Sequence, residues 1–252
     1  MFPYHDENET QRTAVVTIGI IAACVVAWLL VQGAGAMVPL ASSVCNLGLI
    51  PGELLGRVPA GTRIPMGDEL TCLTESGPQW SHVFTHMFLH GSWMHLLGNM
   101  WFLWLFGNNI EDAMTRPRFI VFYLLCGLAA AGLQVFASPD SAVPMVGASG
   151  AISGVMGAYL VLFPRVRVYT VIPLGFFLQT FALPAWAMLL YWAALQVFGG
   201  LGDGASGGGG VAFWAHIGGF LSGVVLVKFF TRADHLATHR AGAWRPASRG
   251  WQ

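Results

Sequence analysis

Charge is what this chain has least of. Asp, Glu, Lys and Arg make up 10% of its 252 residues, where a soluble domain carries roughly 25%. None of them falls between Thr13 and Gly52. A chain so poor in charge cannot wet the whole surface of a water-soluble globule. Its 55% hydrophobic content and mean hydropathy of +0.62 point instead to a lipid bilayer. Net charge is zero and no basic run occurs, which speaks against a nucleic-acid partner. Cysteine is sparse as well, with four in all. Cys24 and Cys126 fall in apolar stretches and read as small core residues. Cys45 and Cys72 share one long loop; they form a disulfide if that loop faces an oxidising compartment, and are otherwise free thiols.

What the chain has in abundance is apolar runs. "TAVVTIGIIAACVVAWLLV" gives about 19 apolar-biased residues, enough to cross a hydrocarbon core of ~30 Å. The stretch before it, "YHDENETQR", is acidic rather than basic, so the run reads as a retained first helix and not a cleaved signal. Five more spans follow, Ser92 to Ile110, Phe119 to Ala137, Ser149 to Pro164, Leu183 to Phe198 and Val211 to Phe230. Pro184 suits the first turn of the fifth. "VYTVIPLGFFLQTF", broken by Pro173 and Gly175, reads as interfacial rather than a seventh span. The expected fold class is all-α, a polytopic bundle of six transmembrane helices. Its parts are a short N-terminal segment 1–12, a membrane domain 13–231 and a tail 232–252. The basic tail after Ala233 is expected to be mobile, and the glycine run at 207–210 to act as a linker.

The few cations orient the bundle. With six spans, ten of the twelve Lys and Arg fall on one side, leaving only Arg57 and Arg63 on the other. The positive-inside rule then puts both termini in the cytoplasm. The loop of about 33–80 and the segments before spans four and six lie outside.

Gly-Ala-Ser-Gly occurs twice, with serines at 149 and 206. Ser206 is followed by further glycines. Ser149 runs straight into "GAISGVMGAYLVLFP" and so opens a helix, where free backbone N–H groups and the dipole favour developing negative charge. Taken alone, Ser149 is simply a helix-capping serine. Its helix, however, carries small residues from Gly150 to Ala158, and span six carries Gly219 and Gly223 in a GxxxG pattern. Close packing of the two would bring His216, three residues before Gly219, beside Ser149. A neutral imidazole there can act as general base to a serine nucleophile. Span two adds His95 and Asn99, four apart on one face and both able to donate to an oxyanion. The neighbouring His82, His86 and His90 have helical spacing that could suit a metal, but no HExxH or partner carboxylate accompanies them. They read as local hydrogen-bonding groups. Glu111 is the one acidic residue touching a predicted span.

Together, "HMFLHGSWMHLLGNMWFLWLFGNNIED", "GASGAISGVMGA" and "AHIGGFLSGVV" resemble the rhomboid family of intramembrane serine proteases, bacterial-type with six spans. The resemblance implies a Ser149–His216 dyad with no acidic third member. It also implies an oxyanion hole from the Ser149 N–H, His95 and Asn99, and structural roles for His90, Gly147, Gly150, Gly219 and Gly223. It implies no cofactor and no metal. The partners implied are the bilayer and transmembrane protein substrates, cut where small residues let the helix unwind, and the implied location is a bacterial inner membrane. A catalytically inactive relative that binds transmembrane clients is the alternative. Two departures stand out: Ser153 occupies a position where many members carry an aromatic residue against the histidine, and Trp80 is followed by Ser81 instead of arginine.

Overall fold

The computed structural model describes residues 2–66, 70–174, 177–206 and 211–243. A short strand β1 (Phe2–Asp6) precedes α1 (Val15–Val26), which continues through a π turn, Ala27–Val31. No side chain of its own segment caps α1. Glu111 does so from 94 residues away, accepting from Val16 N–H at 2.9 Å, Thr17 N–H at 2.8 Å and Thr17 Oγ at 2.9 Å. A buried carboxylate is tolerated there because the helix start supplies unpaired N–H groups and the positive dipole end.

The first loop is built rather than irregular. Positive φ at Gly33, Ala34 and Gly35 turns the chain into α2 (Met37–Leu47) and then α3 (Pro51–Leu54). Strands β2 (Arg63–Pro65) and β3 (Thr71–Leu73) pair antiparallel, Ile64 opposite Cys72. Cys45 of α2 and Cys72 of β3 form a disulfide, with Cα atoms 5.5 Å apart. This resolves the open alternative in favour of the bond. After α4 (His82–Thr85) comes α5 (Trp93–Phe102), opened by Ser92, whose Oγ accepts from His95 N–H at 3.1 Å. It runs through a π turn, Leu103–Gly107, into α6 (Asn108–Ala113), and the three pieces make up the second span.

The third and fourth spans are α7 (Arg116–Ala137) and α8 (Ser149–Leu162). The interfacial segment is a β-hairpin, β4 (Arg167–Leu174) and β5 (Phe177–Pro184), with β1 on its other edge, giving the order β1-β4-β5. These strands are additions to the expected all-helical bundle. In β4, Val, Tyr, Thr and Ile make up five of the eight residues, a composition that favours strand. Pro184 ends β5, and the fifth span α9 (Ala185–Ser206) starts one residue later. The sixth is α10 (Phe213–Phe230), followed by α11 (Ala233–Ala243).

Among the described residues, three helices are long and apolar enough, taken singly, to cross a bilayer: Arg116–Ala137, Ala185–Gly202 and Phe213–Phe230. Val15–Val31 and Ser149–Leu162 are shorter apolar helices. Leu30, Met94, Phe136 and Phe229 are largely exposed, a surface suited to lipid. The chain is a polytopic helical membrane protein.

The core centres on α8. A Cβ added at Gly219 would lie 1.9 Å from Gly150 O, and one at Gly223 1.9 Å from Gly154 O. Backbone therefore touches backbone between α8 and α10, as the small-residue pattern predicted. Gly150 also faces α7, where an added Cβ would come 2.6 Å from Ala130 Cβ.

The tail departs from expectation. Its first part is α11, and His239 is buried, its Nδ1 2.6 Å from Asp112 Oδ2 and its Nε2 2.9 Å from Asn8 Oδ1. Nearby, Asp6 Oδ2 accepts from Tyr159 OH at 2.6 Å and Asn109 Nδ2 at 3.0 Å. Burial pushes the Asp6 carboxyl up to about 6, against the Tyr159 hydrogen bond and the charges of His5 and His239. Residues 207–210, expected to be a linker, and the tail from 244 onward lie outside the described residues.

Candidate active site

Ser149 is the first residue of α8, with Ala148 before it as the N-cap. Its hydroxyl does not cap the helix. Instead Ser149 Oγ lies 2.8 Å from His216 Nε2. This contact follows from the packing just described: Gly219, one turn below His216, lets α10 approach until the imidazole reaches the start of α8. An N1 residue's N–H has no partner inside its own helix, so the Ser149 N–H is free to serve an anion near the hydroxyl.

His95 and Asn99 sit one turn apart on α5 and line, with Ser149 and His216, a cavity of about 870 Å³. Gly91 N–H donates to His95 Nδ1 at 3.3 Å. A backbone N–H can only donate, so neutral His95 carries its own proton on Nε2. A Cβ added at Gly147 would lie 2.8 Å from that Nε2 and 3.5 Å from Ser149 Oγ. Gly147 has φ of +132°, and its N–H donates to His86 O at 2.9 Å. Both its conformation and its missing side chain let His95 come near the serine. Asn99 is buried, and its Nδ2 is a donor with no partner among the described residues. A buried amide donor in the cavity that also holds the Ser149 hydroxyl has the chemistry to bind an anionic oxygen.

His90 differs in detail from the local role read from sequence. Neither of its ring nitrogens has a hydrogen-bond partner among the described residues. Its backbone is held instead by Gln32, whose Nε2 donates to His90 O at 2.7 Å and whose Oε1 accepts from His90 N–H at 2.8 Å. The ring meets His95 edge-on, centroids 5.2 Å apart, so it buttresses the proposed oxyanion donor by shape. Burial and the neighbouring His95 hold His90 down at about 3, so it is neutral at pH 7. His86 is held near 4 by burial, and its Nδ1 lies 2.8 Å from His82 O.

Two contacts were missed in sequence. Gln196 Oε1 lies 2.7 Å from His216 Nδ1, and the Trp192 ring is tilted against the imidazole at 5.8 Å. Both come from α9. The signal was available, since Gln196 is a polar residue within an apolar span and Trp192 lies one turn before it on the same face. Ser153, at the position where many family members carry an aromatic residue, donates to Ser149 O at 2.6 Å and does not hold the histidine.

A family model described as Rhomboid domain matches residues 77–233. The chain is 31% identical over 161 residues to Rhomboid-like protein 11, chloroplastic, of Arabidopsis thaliana, covering 62% of this chain and 54% of that protein. It is 28% identical over 167 residues to Rhomboid protein 1, mitochondrial, of Saccharomyces cerevisiae, covering 62% and 45%. Rhomboid protease GluP of Bacillus subtilis is 33% identical over 99 residues, 39% of this chain and 19% of that protein. These alignments span about half of the first two relatives and less of the third. The chloroplastic and mitochondrial relatives give no support to a bacterial inner membrane as the location. The matched segment covers more than half of the chain and holds every residue of the cavity's Ser149, His216, His95 and Asn99 cluster, and the protein belongs to the rhomboid family.

Proposed function

We propose that this protein is an intramembrane serine endopeptidase that cleaves transmembrane segments of other membrane proteins. The observation that carries the reading is the 2.8 Å contact between Ser149 Oγ and His216 Nε2 at the wall of a cavity. In the first half-reaction, Ser149 Oγ attacks the scissile carbonyl carbon as His216 Nε2 takes the hydroxyl proton. The carbonyl π pair moves to oxygen, and the Ser149 N–H, His95 Nε2–H and Asn99 Nδ2–H can donate to the resulting oxyanion. Collapse breaks the C–N bond, and His216 returns the proton to the leaving amine. Water then attacks the acyl ester, giving up its proton to His216. The second oxyanion collapses to a carboxylic acid product and expels the Ser149 oxygen, which regains the proton.

The site lies below the lipid headgroups in this reading. Helix α8 has 14 residues, which is ~21 Å against a core of ~30 Å. An intact substrate helix hides its carbonyls in i→i−4 bonds, so segments with small or helix-weakening residues are the expected substrates. Both termini lie on the Lys/Arg-rich cytoplasmic side. The Cys45–Cys72 disulfide supports an oxidising environment for the opposite face.

The test is chemical. Wild-type protein in detergent or proteoliposomes should take up a fluorophosphonate on serine and cut a single-span substrate; Ser149→Ala should abolish both, and Ser206→Ala neither. Labelling that survives Ser149→Ala would overturn the assignment. Intact binding of transmembrane clients with no cleavage by the wild type would favour the inactive relative.

A further inference from the structure

We infer that Gln196 is a positioning residue that fixes the tautomer of His216, taking from the fifth span the part an acidic residue plays in a three-member serine site. The inference rests on the protease reading above for its catalytic consequence, but the tautomer it assigns is a property of the resting protein.

The argument begins with hydrogen-bond sense. The ring bonds of His216 among the described residues go to Ser149 Oγ at Nε2 and to Gln196 Oε1 at Nδ1, 2.8 and 2.7 Å. A neutral imidazole has one N–H and one lone pair, and the hydroxyl can satisfy either nitrogen because it both donates and accepts. Ser149 therefore leaves the tautomer undecided. Gln196 decides it. Its own Nε2 donates to Trp192 O, one turn earlier on α9, at 3.4 Å, which turns the amide oxygen toward the ring. An amide oxygen only accepts, so Nδ1 must carry the proton. Nε2 is then the lone-pair nitrogen, facing the Ser149 hydroxyl. The other tautomer would present N–H to the serine and offer no base.

Ring orientation follows from the same helix. Trp192 packs on the imidazole at 5.8 Å and on Phe220 of α10 at 6.0 Å, so the indole wedges between the base and its own helix. Ser153 of α8, turned back to Ser149 O, leaves that support to α9. The groups facing the ring are thus Ser149 from α8, Trp192 and Gln196 from α9, and across the cavity His95 from α5. An amide suits this depth. It accepts a hydrogen bond from Nδ1–H in both the neutral and the protonated ring, without adding a second charge that lipid would penalise.

The test uses the full-length protein in micelles with a single-span substrate. Histidine labelled with 15N in the ring, with His216→Ala to assign its resonance, should show His216 protonated at Nδ1 and bare at Nε2 near neutral pH. Gln196→Leu should abolish that preference and lower kcat about 10- to 100-fold with KM within about twofold. Gln196→Glu, which keeps an acceptor, should restore kcat to within about threefold of wild type. A role in packing alone would depress Leu and Glu variants alike, lower their melting temperatures and leave the tautomer unchanged, and that result overturns the inference. So does a wild-type ring protonated at Nε2, a reading that needs no variant to fold. Wild type that neither cleaves nor labels defeats the protease reading separately. The Nδ1–H tautomer would then stand on its NMR signature, and its catalytic role would fall.

Discussion

At the scale of single residues, the proposed site leaves particular donors and lone pairs without better partners. His95 gives its Nδ1 to Gly91 N–H, which frees Nε2–H for a ligand, and Asn99 Nδ2 has no acceptor among the described residues. Such groups gain most when an oxyanion forms, because the substrate carbonyl carries little charge before attack. We therefore expect His95→Ala and Asn99→Ala each to lower kcat by about 10- to 1000-fold while KM moves little. Steady-state kinetics on a reconstituted single-span substrate decides this. A raised KM at unchanged kcat would instead make both residues substrate-binding groups.

Between elements, tolerance to a single methyl group separates contact from open space. At Gly223 an added Cβ would meet Gly154 O at 1.9 Å, so α8 and α10 must part. At Gly132 of α7 nothing lies within 4 Å. Gly223→Ala should destabilise the protein by about 1–3 kcal/mol or more, through overpacking, and reduce cleavage as the Ser149–His216 distance grows. Gly132→Ala should be neutral or stabilise by roughly 0.5–1 kcal/mol, since alanine is the better helix former. Thermal unfolding in detergent compares the two, and equal losses would mean that α8 and α10 do not touch closely.

For the whole molecule, the face that carries β1 and α11 is tied by buried polar groups from distant parts of the chain. Asp6 brings together the N-terminal strand, α6 through Asn109 and α8 through Tyr159. Its carboxyl is raised from 3.8 to about 6, chiefly by burial. The folded state therefore holds this proton more tightly than the unfolded chain. The associated stability is fully present below about pH 4 and is lost as pH rises through 6, up to about 3 kcal/mol. Asp6→Asn, neutral at every pH, should flatten this part of the stability profile between pH 4 and 7. A wild-type profile no steeper than the variant's would place the Asp6 carboxyl near its ordinary value.

Much of this protein could be read along the chain, because hydropathy, side-chain size and helix-start chemistry are local properties. Lipid forces long apolar runs to form helices, so each expected span has a helical counterpart. The glycine spacing in the fourth and sixth spans foretold a close crossing, and that crossing singled out Ser149 and His216. What could not be read was pairing over distance. Glu111 and Thr17 are 94 residues apart, Asp6 and Tyr159 are 153, and Gln196 and His216 are 20 with a helix break between them. A lone glutamine in an apolar run has many possible partners, and nothing local selects one. Folding selects it by desolvation: within a lipid-surrounded bundle an amide must bond to what is within reach, and the packing of the fifth span against the sixth makes that partner the histidine.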